Sequence, residues 1–374
     1  GLAQWNRRWG PMRLAGGRKR KMTQFNFTLQ TLTPIFIGSG EELRKDFDFA
    51  VHDGGTYRLN SDVILEKKYQ PNGSFVPGRL LDKDDFRKRE FFRYAVRGTP
   101  RSEKTDARLM ACIKDVHDCP YIPGSSIKGA IRSILAKAEI QKHSLRLHDR
   151  ISDRGKKADD GIESALFGPD PNRDVFRALQ VSDAMMAPEK REAGGGLFIA
   201  NVTPVSRTQA QDKSTVPIEM ECVHRKIEFH GTIRLDDFLL NGTFSERRGV
   251  FENWITVLRD AGFERLEQLK KWYAPISGCE SIVNQLSVIM KLDSKLKDFD
   301  YAFLQIGNGS GWDGMTYGEL LQREDPPAFE RMIKDQRILR TPNHVSSHRK
   351  IGDPFPTSRK IILNYDYGSV RTIF

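Results

Sequence analysis

Apolar and polar positions alternate at Phe25, Phe27, Leu29 and Thr31, and a period of two predicts a half-buried strand. "TPIFIGSGEEL" follows, a short apolar run broken by Gly38 and Gly40. Residues 47–59 read as strand, Gly54-Gly55 turn and strand, and 61–69, opened by Ser61, as a short helix. The densely charged stretch 81–110 is expected to be helical. Over 126–140 the period changes: Ile127, Ile131, Ile134, Leu135 and Ala138 form one helical stripe, with the helix beginning at Ser125 or Ser126. "ALQVSDA" and "LFIANVTPVSRTQ" read as strands. "VPIEMECV" and "KIEFHGTIRL" alternate on either side of His224-Arg225 and predict a β-hairpin. Helices are expected over 249–273 and 280–293, with Trp254, Leu258, Leu266 and Leu269 inward in the first. "YAFLQIGNGSGWDGMT" reads as a strand entering a glycine-rich loop, and "SRKIILNYDYGSV" as a last strand with an aromatic end.

Strands in hairpins and split pairs, with helices between them, favour an α+β fold built on antiparallel sheet. "FIGSG" (36–40) and "QIGNGSG" (305–311) both place a glycine loop directly after a strand; two matches this short are poor evidence of duplication. The chain has 374 residues, 38% hydrophobic, enough for one large domain or two ordinary ones with a core. No apolar run approaches the length of a membrane span. No apolar signal segment is visible, and four cysteines make no disulfide framework. The expected setting is cytoplasmic, away from membranes.

The net charge of +11 suggests an anionic partner. Arg7, Arg8, Arg13, Arg18, Lys19, Arg20 and Lys21 carry seven of those charges with no acid before Met22, leaving +4 for the rest. Residues 1–21 therefore read as a basic leader, a fusion remnant or a disordered tail, and 22–374 as the folded body. Residues 142–165 read as helical or basic insertion.

The chemistry concentrates in "YIPGSSIKGAIRSIL" (121–135). Lys128 falls in the first turn of a helix, where the dipole disfavours a cation. Gly124, the hydroxyls of Ser125 and Ser126, and unpaired helix amides suit a phosphate, which reverses that penalty. Arg132 lies one turn on and can hold a second phosphate. The plain alternative is that Ser125 caps the helix and Lys128 points to water. The P-loop order does not fit, because Gly129 follows the lysine. The dinucleotide fingerprint started by Gly38 and Gly40 is not completed, since Leu43 stands where its third glycine belongs. In "GNGSGWDG", glycines 307, 309, 311 and 314 allow close approach of a ligand backbone, and Trp312 offers a stacking face or a core ring.

"LTPIFIGSGEEL", "YIPGSSIKGAIRSIL" and "FLQIGNGSGWDGMT" together resemble the RAMP superfamily of CRISPR effector proteins, with G-S-S-x-K-G-x-x-R as the most specific element. "ALFG", "LQVSDA" and "VPIEMECV", with their order and spacing, are similar to the fifth-subunit family of type III-A (Csm) complexes. The resemblance implies a ferredoxin-like, RRM-like sheet with long insertions (about 81–120, 142–165 and 249–300). It also implies a non-catalytic subunit, without a cofactor, that caps one end of the filament on the guide RNA (crRNA). Its partners would be that guide, target RNA and neighbouring Csm-complex subunits, RAMP backbone and small subunits among them. Gly38, Ser39, Gly40, Gly124, Ser125, Ser126, Lys128, Gly129 and Arg132 would then lie against guide phosphates. Gly307, Asn308, Gly309, Ser310 and Trp312 would form the second loop near RNA or a neighbour. The polar loop at 203–217 would take the place of the projecting thumb. Residues 354–374 match the family's closing strand only loosely.

Two enzymatic alternatives stand beside this. The target-cleaving backbone subunit carries an aspartate just after its first glycine loop, where this chain offers Glu41, Glu42 and Asp46, with Arg44 and Lys45 as neutralising neighbours. A guide-processing endoribonuclease is the other, and its histidines would lie outside the glycine motifs. A protein–protein adaptor is the non-enzymatic alternative. Cys112, His117 and Cys119 form part of a possible zinc site, with His143 or His148 as a fourth ligand, at a spacing unlike a standard knuckle. Buried cysteines and a surface histidine explain them more simply.

Overall fold

The computed structural model describes residues 2–8, 22–102, 107–150, 160–207, 218–296, 299–335, 355–363 and 365. Chain order begins with β1 (Leu2–Arg8), β2 (Met22–Gln30), β3 (Gly38–Arg44), β4 (Phe49–His52), β5 (Gly55–Leu59), α1 (Ser61–Lys68), β6 (Phe92–Arg97) and β7 (Arg108–Cys112). It continues with α2 (Gly124–Lys142), α3 (Asp160–Phe167), β8 (Leu179–Val181), β9 (Leu197–Ser206), β10 (Ile218–Val223), β11 (Glu228–Asp236) and α4 (Asp237–Asn241). It ends with α5 (Trp254–Tyr273), α6 (Glu280–Met290), β12 (Asp300–Phe303), α7 (Gly311–Met315), α8 (Gly318–Glu324), α9 (Pro326–Asp335) and β13 (Ser358–Ile362).

Two sheets organise these elements. One has five strands in the order β12-β1-β2-β11-β8; the other has eight, along the path β3-β7-β10-β9-β6-β5-β4 with β13 beside β9. Most neighbours are antiparallel, so the α+β expectation holds. In chain order β2, α2, β8, β11, α5 and β12 follow the β-α-β-β-α-β pattern of a split βαβ unit. Strands β3 to β7, β9 and β10 are inserted between its elements, while β1 precedes it and β13 follows it.

The alternation in β2 explains why it is central. Phe25, Phe27 and Leu29 are buried while Asn26 is exposed, and β11 pairs along its whole length, presenting Phe229 and Ile233 to the same interior. The stripe of α2 (Ile127, Ile131, Leu135) and the first half of α5 close over that face. A second cluster joins the later half of α5 to α6 and β12; a third joins Phe36 to β9 and β10.

Several expectations are corrected. The hairpin across His224-Arg225 does not form: β10 pairs with β9 in the larger sheet, and β11 with β2 in the smaller one. Val223 exchanges backbone hydrogen bonds with Ile35, and the Lys226 N–H donates to Thr31 O, so the link crosses between sheets. Alternation fixes which face a residue takes, not which strand it pairs with. The stretch 81–110 is not helical. It forms short 3-10 turns at Lys83–Arg87 and Arg89–Phe91, then β6 and β7. Buried Tyr94 and Val96 alternate with exposed Arg93, Ala95 and Arg97, a strand period hidden among charges. Asp85, buried in the first turn, is held near pKa 2: burial opposes ionisation, and Lys68, the Asp82 N–H and Lys88 outweigh it.

The expected leader carries a strand where it is described, since Leu2–Arg8 pairs with both β2 and β12. Residues 9–21 lie outside the described residues, as do 151–159 of the basic insertion, 208–217 of the expected thumb and nearly all of 364–374. The helices expected over 249–273 and 280–293 are present as α5 and α6.

Candidate nucleic-acid interface

Helix α2 starts at Gly124, one or two residues earlier than expected, and Ser125 is not its cap. The carboxylate of Asp183, just past β8, accepts from the Gly124 N–H at 2.7 Å. The Ser126 and Ile127 N–H groups donate to Pro123 O. An acidic side chain thus already meets the helix dipole. Ser125 remains exposed beside it. Gly124 is where it is because a Cβ would collide with Val181 O and Ser182, so this glycine serves the contact between α2 and β8.

Lys128 does not point to water but is engaged within the chain. Its ammonium donates to Leu179 O at 2.7 Å and is half-buried; desolvation and the nearby Arg132 lower its pKa against the pull of Asp174. Arg132 is further committed. It bonds Glu163 (2.7 Å) and Asp174 (2.8 Å), and its guanidinium lies 4.4 Å from the Phe167 ring centre and 4.9 Å from that of Phe176. The tyrosine of Tyr317 donates to the other oxygen of Glu163 at 2.9 Å. Both cations therefore help hold α2 to α3 and β8 in this structure.

The two glycine loops meet. Asn308 N–H donates to Phe36 O at 3.0 Å, and Gly307, at φ 86°, packs where a Cβ would collide with the same carbonyl. Two residues further, Gly38 pairs with Cys112 and exposed Ser39 donates to Ala111 O at 3.4 Å. Asn308 and Gly309 are exposed, while Ser310 is buried and donates to Gln305 O. Trp312 is an interior ring rather than a stacking platform. It sits edge-on to Phe329 and Phe355 at 6.0 and 4.5 Å, over Gly318. The start of α2 contacts β8 instead, while Gly307 and Asn308 meet Phe36 and Ile37, just ahead of 38–40.

Beneath the second loop Asp313 is 4% exposed and ion-paired to Arg265 (2.5 Å) and Arg359. Lys137 donates to Asp313 O at 2.5 Å, Arg265 to Gln305 Oε1 at 2.8 Å and to Ser310 O at 3.2 Å. Burial pushes the Asp313 carboxyl up, but Arg265 and Arg359 overcome it and hold the pKa near 2. This cluster ties α2, α5, the loop and β13 into one piece.

Two motif glycines have no internal reason to be glycine. Gly129 lies inside α2 and Gly309 in the loop; neither has a positive φ, and a Cβ on either meets nothing within 4 Å. Glycine inside a helix costs about 0.5–1 kcal/mol relative to alanine, and nothing within the described chain recovers that at Gly129.

The weaker candidates separate. Glu41 and Glu42 are exposed on β3, and Glu42 pairs with Arg108 at 2.7 Å, not with Arg44. The Arg44 guanidinium lies over Phe47, and Asp46 sits at φ 65° in the turn to β4. Cys112 and Cys119 are buried, with burial pushing the Cys112 thiol up to about 12, and His117 is exposed. Among the described residues no group of three or more His, Cys, Asp or Glu is placed to hold a metal ion. No helix among them is long and apolar enough to cross a membrane.

Against known proteins, the model of the RAMP superfamily matches residues 28–312. The chain belongs to the RAMP superfamily. Within it, this RAMP chain is similar to the CRISPR system Cms protein Csm5 of Streptococcus thermophilus, 28% identical over 200 residues, covering 46% of this chain and 55% of that protein. The Csm5 of Mycobacterium tuberculosis (strain CDC 1551 / Oshkosh) is 26% identical over 204 residues, covering 43% and 54%. The match thus spans about half the length of these curated relatives. A chain of the cryo-EM Csm-crRNA-target RNA ternary complex of a type III-A CRISPR-Cas system superposes with TM-score 0.64 at 21% identity, covering 90% of this chain and 96% of that one. The crystal structure of T. onnurineus Csm5 gives TM-score 0.51 at 21% identity, over 82% and 96%. Both likenesses show the fold.

The sequence motif located the glycines but missed Asp183, Leu179 O and the Glu163–Arg132–Asp174 pair. Nothing in "LQVSDA" signals that its aspartate turns back onto a helix 59 residues away.

Proposed function

We propose that this chain is a non-catalytic RNA-binding subunit of a type III-A CRISPR-Cas effector complex, capping one end of the filament on the guide RNA. Its similarity to Csm5 proteins and to a chain of a Csm-crRNA-target RNA complex supports the assembly. The observation that carries the RNA-binding role is the pair of open glycines. A Cβ on Gly129 or on Gly309 would meet nothing in the described chain, and an RNA backbone outside the chain fills that space. Ser125 and Ser126 flank Gly129 on the first turns of α2, and their hydroxyls and the exposed Ser125 amide donate to phosphate. Lys128 leaves Leu179 O to join them. Arg132 acts from behind, fixing the helix. Gly38 to Gly40 and Gly307 to Asn308 supply the second contact.

The test is single-stranded RNA binding against salt by the purified full chain. Affinity falls with a log–log slope of roughly −0.7 per phosphate contacted. Lys128→Ala flattens that slope by about one contact. An unchanged slope in Lys128→Ala, together with unchanged affinity in Gly129→Ala, removes the α2 site; cleavage of the RNA during the titration removes the non-catalytic role.

A further inference from the structure

A cavity of about 250 Å³ lies between the two sheets, closed on one side by α5 and α6 and opening beside the glycine loop. Its walls are mostly apolar, and Phe36, Tyr273 and Phe303 contribute rings. Among the described residues only two charged side chains line it, Arg265 and Lys360, and no carboxylate does. Arg265 is neutralised by Asp313. Lys360 is exposed, and its ammonium stands 3.3 Å from the neutral Asn308 Oδ1. Asn308 and Gly309 line the same mouth.

An apolar hollow with an unneutralised cation at its entrance suits a ligand with an apolar body and an anionic head. The volume is below the ~300–1,000 Å³ of drug-sized pockets, so it takes one ring system. Phe36, Tyr273 and Phe303 in a largely aliphatic lining favour a flat ring, each stacked base contributing about 1–3 kcal/mol in single-strand binders. The Gly309 loop at the mouth is the one at which a ribonucleotide backbone approaches in the function above. We propose that this cavity is a subsite for one unstacked nucleobase of the bound RNA, with the phosphate of that nucleotide at Lys360 and the Asn308 amide. The subsite rests on that function and deepens it: the loop grips the chain, and the cavity takes a base out of it.

The experiment is ligand-observed NMR saturation transfer with the full chain, using uridine and adenosine 5′-monophosphates, ribose 5-phosphate, inorganic phosphate and laurate. Saturation is expected at the base protons of the nucleotides, and none at ribose 5-phosphate. Lys360→Ala should weaken nucleotide binding about tenfold, the loss of one charge-assisted contact, and Val202→Phe, narrowing the cavity, should abolish it. Because Val202→Phe stands on a buried strand, a second readout is independent of it: 4-thiouridine in single-stranded RNA should crosslink to residues 266–289 or 301–309. No transfer to any nucleotide overturns the subsite, as does equal binding in Lys360→Ala, or laurate binding in place of nucleotides. RNA binding that depends on Gly129 while nucleotides fail to bind removes the subsite and leaves the broader function standing; nucleotide binding without RNA binding does the reverse.

Discussion

Helix α2's motif and the 307–314 loop each commit their charge inside the molecule, a cation in the first and a carboxylate in the second. Arg132 joins Glu163 and Asp174; Arg265 and Arg359 join Asp313. In each, one glycine is required by packing, Gly124 against Val181 O and Gly307 against Phe36 O, and another, Gly129 or Gly309, faces open space. Conspicuous charges thus build the frame, while Gly129 and Gly309 have open space at the position of a Cβ. The regions differ in depth. Asp313 is 4% exposed, whereas the carboxylates on Arg132 are part-exposed at 31% and 18%.

That difference ranks the consequences. Asp313→Ala leaves the guanidiniums of Arg265 and Arg359 without their shared carboxylate and should cost about 3–5 kcal/mol, measured by denaturant unfolding. Arg132→Ala loses its ion pairs and ring contacts in a wetter setting and should cost less, about 2–3 kcal/mol; an equal or larger loss than Asp313→Ala reverses the order of the two regions. Acid titration separates them too. The folded pKa of Asp313 is depressed to about 2, so its contribution is fully present above the unfolded value near 4 and is lost as pH falls through about 2. Asp313→Asn should lower stability at pH 7 and flatten the acid limb of the stability curve in that window.

The glycines give the smaller effects and the opposite signs. Gly124→Ala forces a methyl into Val181 O and should destabilise by about 1–3 kcal/mol. Gly129→Ala should stabilise by about 0.5–1 kcal/mol, since alanine is the better helix former and meets nothing. A destabilising Gly129→Ala points to an internal contact and undoes the contrast.

Much of the fold was legible because its signal is periodic. The β2 alternation and the α2 stripe each bury one face, and the structure keeps both. Pairing was not legible. The same alternation in 216–235 fits a hairpin or two strands in different sheets, and a backbone exchange with Ile35 decides it. In 81–110 local ion pairs around Asp85 and a short strand period mimic a charged helix. At the candidate site, the sequence marked the glycine loops and assigned Lys128 and Arg132 to a ligand, whereas in the structure Lys128 bonds Leu179 O and Arg132 bonds Glu163 and Asp174. Partners brought from 31 to 51 residues away in the chain leave no local pattern. The open space at Gly129 and Gly309 is likewise a property of the folded surface.

The most direct measurement pairs two readouts on one variant, thermal unfolding and single-stranded RNA affinity of Gly129→Ala. An outside backbone lying on that face predicts a higher melting temperature together with weaker RNA binding. A higher melting temperature with RNA affinity unchanged would contradict it, because the bare helix face would then have no RNA against it.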